Sequence, residues 1–257
     1  MKKLLSLVLV FALVLSCAAL LTSCGEKAPV AEVEEKEEVV IKMGTNAAFP
    51  PYEYKEGEDF KGIDVEIADA IAKEIGGKLE IVDMEFDSII TSVQKGEVDF
   101  GMAGMTVTDE RKEEVDFTSS YATGVQVVIV NEGSDIKSLD DLNGKKIGTQ
   151  LGTTGDIYSK DDYGEENVIS YSKGADAVIA LKGGDVDAVI IDNEPAKAFV
   201  NDNEGLKILD TEYAIEDYAI AISKENTELL DKINAALEKL TADGTIDEII
   251  AKYIKAE

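Results

Sequence analysis

The sequence predicts an α/β protein built as two similar lobes, each with a mostly parallel sheet covered by helices. Short apolar strands alternate with amphipathic helices, and this alternation runs through the chain twice. Two related segments, Ser92–Asp99 and Ala180–Asp187, each close a helix at glycine and lead into an apolar strand. Two β-rich segments, 124–130 and 218–222, are placed to carry the chain between the lobes as hinge strands. The 257 residues are enough for each lobe to bury a core.

The first round of elements begins at residue 39. Its first helix is predicted from isoleucines at every fourth position from 63 to 75, which share one helix face. Gly76-Gly77 then provides a stop signal. The predicted elements are strand Val39–Met43, helix Ile63–Ile75, strand Leu79–Val82, a helix over Ile89–Val93 and strand Val98–Ala103.

The second round repeats this plan, and two amphipathic helices follow it. The predicted elements are a short helix Leu139–Leu142, strands Lys145–Thr149 and Val168–Tyr171, helix Ala175–Leu181, strand Val186–Ile191, and helices Asn193–Asn201, Glu225–Leu240 and Ile246–Ile254. We therefore expect a first lobe of residues 39–123 and 220–257, and a second lobe of residues 124–219 that includes the hinge segments.

The N-terminal segment is predicted to be a targeting signal rather than part of the fold. Lys2 and Lys3 precede an apolar run, Leu4–Leu21, as in a secretory signal, and an uncleaved membrane anchor is the alternative. Leu21-Thr22-Ser23-Cys24 resembles the lipobox of bacterial lipoproteins. This favours a signal peptide of residues 1–23, with Cys24 lipidated and held at the membrane. Residues 24–38 then form an acidic, flexible tether.

Composition and charge exclude several classes of function. Lys and Arg total 25 and Asp and Glu total 53, so the net charge is −28 at pH 7. Nucleic acid is excluded as a partner because phosphate binding needs a basic surface. The chain has no histidine, which removes Ser-His-Asp and Cys-His catalysis and histidine-ligated metal sites. We expect no metal and no cofactor.

Polar residues follow the predicted strands at their carboxyl ends, where ligands collect in open α/β sheets. Arg111 is interpreted either as part of a surface ion pair or as a bidentate partner for a carboxylate. The loop Gly152-Thr153-Thr154-Gly155 is either a plain turn or an anion-binding loop at a helix N-terminus. Asp192 is either an N-cap or the counter-ion of a cation. A cationic and an acidic site on opposite lobes suit the zwitterion of an α-amino acid.

Six short motifs stand in order between Val39 and Tyr253. They are Phe49-Pro50-Pro51-Tyr52, Gly62-Ile63-Asp64-Val65-Glu66-Ile67, Ala103-Gly104-Met105-Thr106-Val107-Thr108-Asp109-Glu110-Arg111, Val115-Asp116-Phe117-Thr118, Asp140-Asp141-Leu142-Asn143-Gly144-Lys145-Lys146 and Gly152-Thr153-Thr154. In this order and spacing, the chain resembles the polar amino-acid-binding family (family 3) of bacterial extracellular solute-binding lipoproteins. Members of that family are the receptors of ABC importers.

The resemblance implies a two-lobed periplasmic-binding-protein-like fold of type II, with two hinge strands. It implies a free L-amino acid as ligand, an ABC transporter permease as partner, a monomer and no enzymatic activity. The location it implies is extracytoplasmic, with the lipid anchor on the cell membrane.

The resemblance also assigns roles within the cleft. The ligand carboxylate would go to Arg111 and Thr106, and the ammonium to Asp192. The remaining implied ligand-binding residues are Gly104 and Thr153 through backbone groups, Phe49 and Phe86 around the ligand side chain, Asn46 and Gln150 at its head group, and Ala103 and Thr154 beside them.

Other classes of protein remain as alternatives at this point. The same cleft serves some enzymes of related fold, such as dehydratases, where an Asp, Glu, Lys or Tyr would have to act as acid or base. A sensor ectodomain would need a following membrane span, and none follows Glu257. A structural lipoprotein would not need paired charge sites.

Overall fold

The computed structural model describes residues 39–255. The predicted signal segment, Cys24 and the acidic tether lie outside these residues. Within them, none of the helices combines the length and the apolar character needed to cross a membrane.

The strands of the described residues form three sheets. In chain order they are β1 (Val39–Thr45), β2 (Ala48–Phe49), β3 (Glu53–Glu56), β4 (Asp59–Lys61), β5 (Gly77–Asp83), β6 (Phe100–Gly101), β7 (Asp116–Phe117), β8 (Ala122–Asn131), β9 (Ile147–Gln150), β10 (Val168–Tyr171), β11 (Ala188–Asp192), β12 (Leu206–Ile208), β13 (Ala214–Tyr218) and β14 (Ala221–Ile222).

Eight α-helices of the same residues cover the two larger sheets. They are α1 (Ile63–Glu74), α2 (Ile89–Gln94), α3 (Asp109–Glu114), α4 (Thr154–Tyr163), α5 (Gly174–Gly183), α6 (Asn193–Asp202), α7 (Thr227–Ala242) and α8 (Thr245–Tyr253). Short 3-10 turns stand at Phe86–Ser88, Leu139–Leu142 and Glu165–Asn167.

The first sheet has the strand order β5-β1-β6-β14-β7. Strand β1 runs parallel to both β5 and β6, as the predicted strand-helix alternation requires. Strand β14 is antiparallel to β6 and β7. The sheet is therefore parallel in its first half and antiparallel where the returning chain joins it.

The second sheet has the order β10-β9-β11-β8-β12, and β13 also pairs with β8. Strand β9 is parallel to β10 and β11, whereas β8 is antiparallel to β11, β12 and β13. The plan matches that of the first sheet, so the prediction of two lobes of similar design is confirmed at the level of strand order.

Helix α1 shows why the sequence pattern was informative. Ile63, Ile67 and Ile71 are fully buried, so the predicted row of isoleucines does face the core. Burial of each such side chain contributes about 1.5–3 kcal/mol relative to exposure. In α7, the apolar stripe buries Ile233, Ala236, Leu237 and Leu240 in the same way.

The chain crosses between the two sheets twice. It leaves the first sheet after β7 and enters the second at β8, and it returns between β13 and β14. The crossings lie side by side, because the Tyr121 N–H donates to the Tyr218 carbonyl at 2.9 Å and the Thr118 N–H donates to the Ile220 carbonyl at 3.0 Å.

The structure places one predicted hinge segment differently. Residues 124–130 lie inside β8, which is paired on both sides within the second sheet, so the first crossing is shorter and earlier than this segment. An apolar sequence rich in β-branched residues fits both a strand within a sheet and a strand that links two lobes. The sequence pattern therefore does not separate the two. The second predicted segment, 218–222, does contain the return crossing.

A small antiparallel sheet, β2-β3-β4, was not predicted. Its strands are only two to four residues long, too short to show periodicity. In its register Phe49 pairs with Glu53, which brings two side chains to the carboxyl end of β1.

Candidate functional site

A cavity of about 330 Å³ lies between the two large sheets. Residues from both lobes form its wall, which is typical of ligand sites in α/β proteins. The wall comprises Asn46, Phe49, Glu53, Phe86, Ala103, Gly104, Thr106, Arg111, Gln126, Gln150, Thr153, Thr154 and Tyr218. Of the predicted ligand-binding residues, all but Asp192 are in this wall. Glu53, Gln126 and Tyr218 were not predicted as ligand-binding residues.

Arg111 is a buried cation without a carboxylate partner. Its side chain is 7% exposed, and among residues 39–255 no carboxylate oxygen lies within 4.0 Å of its guanidinium. Nη1 donates to the Thr106 carbonyl at 2.7 Å and Nη2 to the Gly152 carbonyl at 3.0 Å. Burial lowers the pKa of Arg111, but an arginine stays charged at neutral pH. The surface ion-pair interpretation is therefore wrong. The acids that act on Arg111, led by Glu216, do so from beyond 4.0 Å, which leaves the guanidinium open to a closer anion.

The ring of Phe86 lies against this cation. The guanidinium carbon is 5.4 Å from the ring centroid, a cation–π distance. Because Phe86 and the Gly152 carbonyl come from different lobes, Arg111 is held between them in one orientation. Arg111 is part of the cavity wall, and a guanidinium can bind a carboxylate through two parallel N–H groups.

Three groups on the wall converge on one buried acid that sequence reasoning missed. The hydroxyls of Thr106 and Thr154 donate to Glu216 Oε2 at 3.1 and 2.9 Å. Gln126 Nε2 donates to the same oxygen at 2.9 Å. Glu216 therefore ties the loop after β6 to the start of α4. Nothing in the sequence around β13 distinguished Glu216 from the exposed acid beside it, Asp217.

The loop before α4 is built as a helix N-terminus. Thr153 is the N-cap, and its side chain accepts from the Asp156 N–H at 3.3 Å. Asp156 in turn accepts from the Gly152 N–H at 3.2 Å. Burial acts to raise the pKa of Asp156, but hydrogen bonds, led by the one from Lys160, outweigh it and lower the pKa. The positive end of the α4 dipole thus meets the cavity beside Arg111.

Two amides connect the lobes on the cavity wall. Gln150 Nε2 donates to Asn46 Oδ1 at 3.0 Å, and Asn46 Nδ2 donates to the Met84 carbonyl at 2.7 Å. Both side chains are nearly fully buried. They lie at the ends of β9 and β1, which is the strand-end position that the sequence predicted.

Aromatic and small residues complete the wall. Phe49 and Phe86 are each 8% exposed and line the cavity, as predicted. Gly104 has φ of +53°, and a Cβ there would lie 3.3 Å from the Phe49 ring, so a side chain would crowd the cavity. Ala103 is the neighbouring small residue in the wall.

Asp192 lies behind the wall rather than in it. Its Oδ1 accepts from the Glu194 N–H at 3.1 Å, which confirms the N-cap interpretation for α6. Oδ2 accepts from the Tyr218 hydroxyl at 2.6 Å and from the Val125 N–H at 3.1 Å. Burial raises the pKa of Asp192 to about 7. Its role as the ammonium partner stays a prediction, and Tyr218 is the group between it and the cavity.

Gly124 is needed where Asp192 and Tyr218 meet. A Cβ at Gly124 would lie 2.3 Å from the Tyr218 hydroxyl and 2.6 Å from Asp192 Oδ2. Gly124→Ala is therefore expected to separate this pair and to lower the free energy of unfolding by about 1–3 kcal/mol. Urea denaturation measures the change. Gly133→Ala is the control, since nothing lies within 4 Å of a Cβ there. Equal midpoints for the two variants would show that the contact is not needed.

Two α/β lobes around a cavity, with a buried arginine that has no carboxylate within 4.0 Å among residues 39–255, are the arrangement of a two-lobed solute-binding protein. Comparison with known proteins agrees. The chain belongs to the bacterial extracellular solute-binding proteins, family 3, whose family model matches residues 41–256.

Individual relatives are similar over nearly their whole length. The arginine-binding extracellular protein ArtP of Bacillus subtilis (strain 168) is 36% identical over 247 residues, 92% of this chain and 93% of ArtP. The ABC transporter glutamine-binding protein GlnH of the same organism is 31% identical, over 100% of this chain and 99% of GlnH.

A solved structure shows the same fold. An ancestral arginine-binding protein bound to glutamine superimposes with a TM-score of 0.81 at 43% identity, covering 84% of this chain and 98% of that chain. The predicted family and the predicted two-lobed, type II periplasmic-binding-protein-like fold are confirmed.

Proposed function

We propose that this protein is the extracytoplasmic receptor of an amino acid ABC importer. It binds a free L-amino acid in the cavity between the lobes and delivers it to the permease. The observation that carries the proposal is Arg111, a buried guanidinium with no carboxylate within 4.0 Å among residues 39–255. A carboxylate from the ligand would supply the missing charge in bidentate geometry. Relatives named for arginine and for glutamine support an amino acid as that ligand.

The proposed binding mode assigns each end of the ligand to part of the wall. The carboxylate binds Arg111, Thr106 and the loop at Thr153 and Thr154, with Gly104 contributing a backbone group. The ammonium binds toward Asp192, with Tyr218 moving aside or bridging. Phe49 and Phe86 enclose the side chain, and Asn46 and Gln150 face its head group. Because these groups come from both lobes, the closed form is the one a ligand favours.

The proposed location and assembly state of the receptor are based on the N-terminal sequence and on the family. We propose a lipid anchor at Cys24, an acidic tether to residue 38 and a monomeric receptor beside its permease. Double acylation holds a protein at a membrane stably, whereas a single chain does not.

The second candidate function is that of an enzyme of the same fold, with a dehydratase-like reaction in the cleft. We propose that this protein is not such an enzyme. Two acids beside the cavity are engaged elsewhere: Glu216 accepts three hydrogen bonds, and Asp192 caps α6. Incubation with a binding ligand, followed by chromatography, should return the ligand unchanged. Turnover would favour the enzyme.

Thermal unfolding against a panel of amino acids tests the proposed function. The purified protein is first unfolded and refolded to remove bound ligand. A ligand at 100 times its Kd stabilises the folded state by about 2.7 kcal/mol, which for a chain of this size raises Tm by roughly 5–10 °C. We expect such a rise with one or a few L-amino acids. A flat panel would contradict the proposal.

A further inference from the structure

Glu216 is a buried acid behind the cavity wall, and three neutral groups of that wall donate hydrogen bonds to it. It lies on β13 and is 5% exposed. The hydroxyls of Thr106 and Thr154 and the Gln126 amide all donate to one oxygen, Oε2. The other oxygen, Oε1, has no hydrogen-bond partner among the described residues. Buried polar atoms without a partner are rare, so the placement of this carboxylate calls for an explanation.

The backbone near the return crossing fixes where Glu216 lies. The Val107 N–H donates to the Asp217 carbonyl at 3.0 Å, so the loop that carries Thr106 is held beside β13. Thr154 comes from the second lobe as the first residue of α4. The two hydroxyl oxygens are consequently only 3.4 Å apart. One carboxylate oxygen can therefore accept from both.

The two threonine hydroxyls are groups of the wall that the proposed function assigns to the ligand carboxylate. A hydroxyl has a single hydrogen to donate. While Thr106 and Thr154 donate to Glu216, neither of them can donate to a carboxylate in the cavity, and their oxygen lone pairs face it unfavourably. A ligand carboxylate must therefore take these two hydrogens from Glu216.

Glu216 also acts on Arg111 through its charge. It is the acid that acts most strongly on the guanidinium, and it does so from beyond 4.0 Å. Its three hydrogen-bond donors are neutral, so they leave its negative charge uncompensated. A ligand carboxylate at Arg111 competes with Glu216 for this cation as well as for the two hydroxyls. Both effects weaken the binding of a carboxylate.

We propose that Glu216 is a positioning residue that sets the affinity of the cavity for the ligand carboxylate. In the observed arrangement it holds the hydroxyl hydrogens of Thr106 and Thr154 away from the cavity. When a carboxylate binds at Arg111, the two hydrogens turn to it, and Glu216 keeps the hydrogen bond from Gln126. This exchange opposes binding and speeds release of the ligand. The inference rests on the proposed function and deepens it.

Calorimetric titration of Glu216→Gln tests the positioning role. The probe is L-glutamine or L-arginine or, if neither binds, the amino acid with the largest Tm rise in the thermal panel. The variant keeps the shape and removes the charge, so its hold on the hydroxyls weakens and we expect Kd to fall about tenfold. A merely structural role predicts weaker binding instead. An unchanged or higher Kd in the folded variant would overturn the inference.

Two further variants accompany this titration. Asp217→Asn removes the same charge from the adjacent exposed acid of β13, and its Kd should stay within about twofold. A tenfold gain there too would assign the effect to net charge and refute the positioning role. Glu216→Asp serves if Glu216→Gln does not fold. It withdraws the carboxylate by one methylene, so Kd should fall by about threefold, and no fall would count against the inference.

A double-mutant cycle with Thr154→Val shows whether Glu216 acts through the hydroxyls. Valine has nearly the same shape as threonine but no hydroxyl. In that background Glu216→Gln frees only Thr106, so the gain in affinity should shrink from about tenfold to about threefold. An equal gain in both backgrounds would mean that Glu216 acts on Arg111 by charge alone, which contradicts the proposed role.

The outcomes separate this inference from the proposed function. If the unmodified protein binds an amino acid and folded Glu216→Gln does not bind it more tightly, the inference is wrong and the receptor function stands. If the unmodified protein binds no amino acid of the panel, both are wrong.

Discussion

Replacing Arg111 with alanine is expected to abolish amino acid binding while the protein stays folded. The guanidinium is buried and unpaired among the described residues, so a ligand carboxylate has no other cation in the cavity wall to bind. Loss of one partner of a buried, hydrogen-bonded charge pair costs about 2–5 kcal/mol, which is roughly 30-fold to more than 1,000-fold in Kd. Calorimetric titration with the best ligand of the thermal panel measures the loss.

Two further variants show whether the effect belongs to the guanidinium. Arg111→Lys keeps the charge but not the bidentate geometry, so its affinity should lie between those of the original protein and Arg111→Ala. Lys112→Ala removes the next cation of α3, an exposed side chain paired with Asp109, and should leave affinity unchanged. Circular dichroism verifies that each variant is folded. An Arg111→Ala protein that binds normally would exclude the proposed carboxylate site.

Unfolding free energy is expected to rise as the pH is lowered from 8 to about 5.5. Burial raises the pKa of Asp192 to about 7 and that of Asp64 to about 6. A buried acid with a raised pKa stabilises the fold while protonated, and this stability is lost as the pH rises through the folded-state pKa. For Asp192, with an ordinary value of 3.8, the difference between pH 8 and pH 5.5 is on the order of 2 kcal/mol.

Acids whose pKa values are lowered in the folded state limit the unfolding free energy at low pH. Hydrogen bonds, led by the one from Lys55, outweigh the burial of Asp83 and lower its pKa, and Lys160 leads the same effect at Asp156. Their contribution is present above the unfolded-state pKa and is lost as the pH falls below about 4. Stability should consequently pass through a maximum between these limits.

Urea denaturation across this pH range measures the effect, and Asp192→Asn assigns it. Asparagine keeps the N-cap oxygen but cannot ionise, so the rise between pH 8 and pH 5.5 should shrink by on the order of 2 kcal/mol. Absolute stability should fall as well, because the Val125 N–H loses its acceptor. The change in slope is the informative quantity. An unchanged slope would show that Asp192 is ionised at neutral pH despite its burial.

Much of the site was predictable because strand ends converge. Arg111 follows β6, Gln150 ends β9 and Thr153 follows β9, and the carboxyl ends of these two strands meet at the cavity. The aromatic residues Phe49 and Phe86 stand in the connections that follow two further strand ends. Residues at these positions are recognisable without coordinates because their place depends on local periodicity and on the family motifs.

Glu53 and Glu216 were not predictable in the same way. Both are acids in strands with neighbouring exposed acids, Glu56 and Asp217, so their local sequence resembles a solvated edge strand. Their burial results from residues distant in the chain, such as Asp64 beside Glu53 and Thr106 beside Glu216. Only the tertiary packing, within the first lobe for Glu53 and between the lobes for Glu216, decides which acid of each strand is removed from water.

The sequence by itself determined the two-lobed α/β plan, the family and most of the cavity wall. Hydrophobic periodicity, glycines that end helices and motifs at strand ends are local features, so they can be read directly from the amino-acid sequence. The tertiary structure alone decided that Arg111 has no carboxylate within 4.0 Å among the described residues, that Asp192 caps α6 behind Tyr218, and that Glu53 and Asp64 share a buried position. These outcomes depend on which distant groups supply hydrogen bonds and exclude water, and a carboxyl or guanidinium group responds to that environment rather than to its neighbours in the chain.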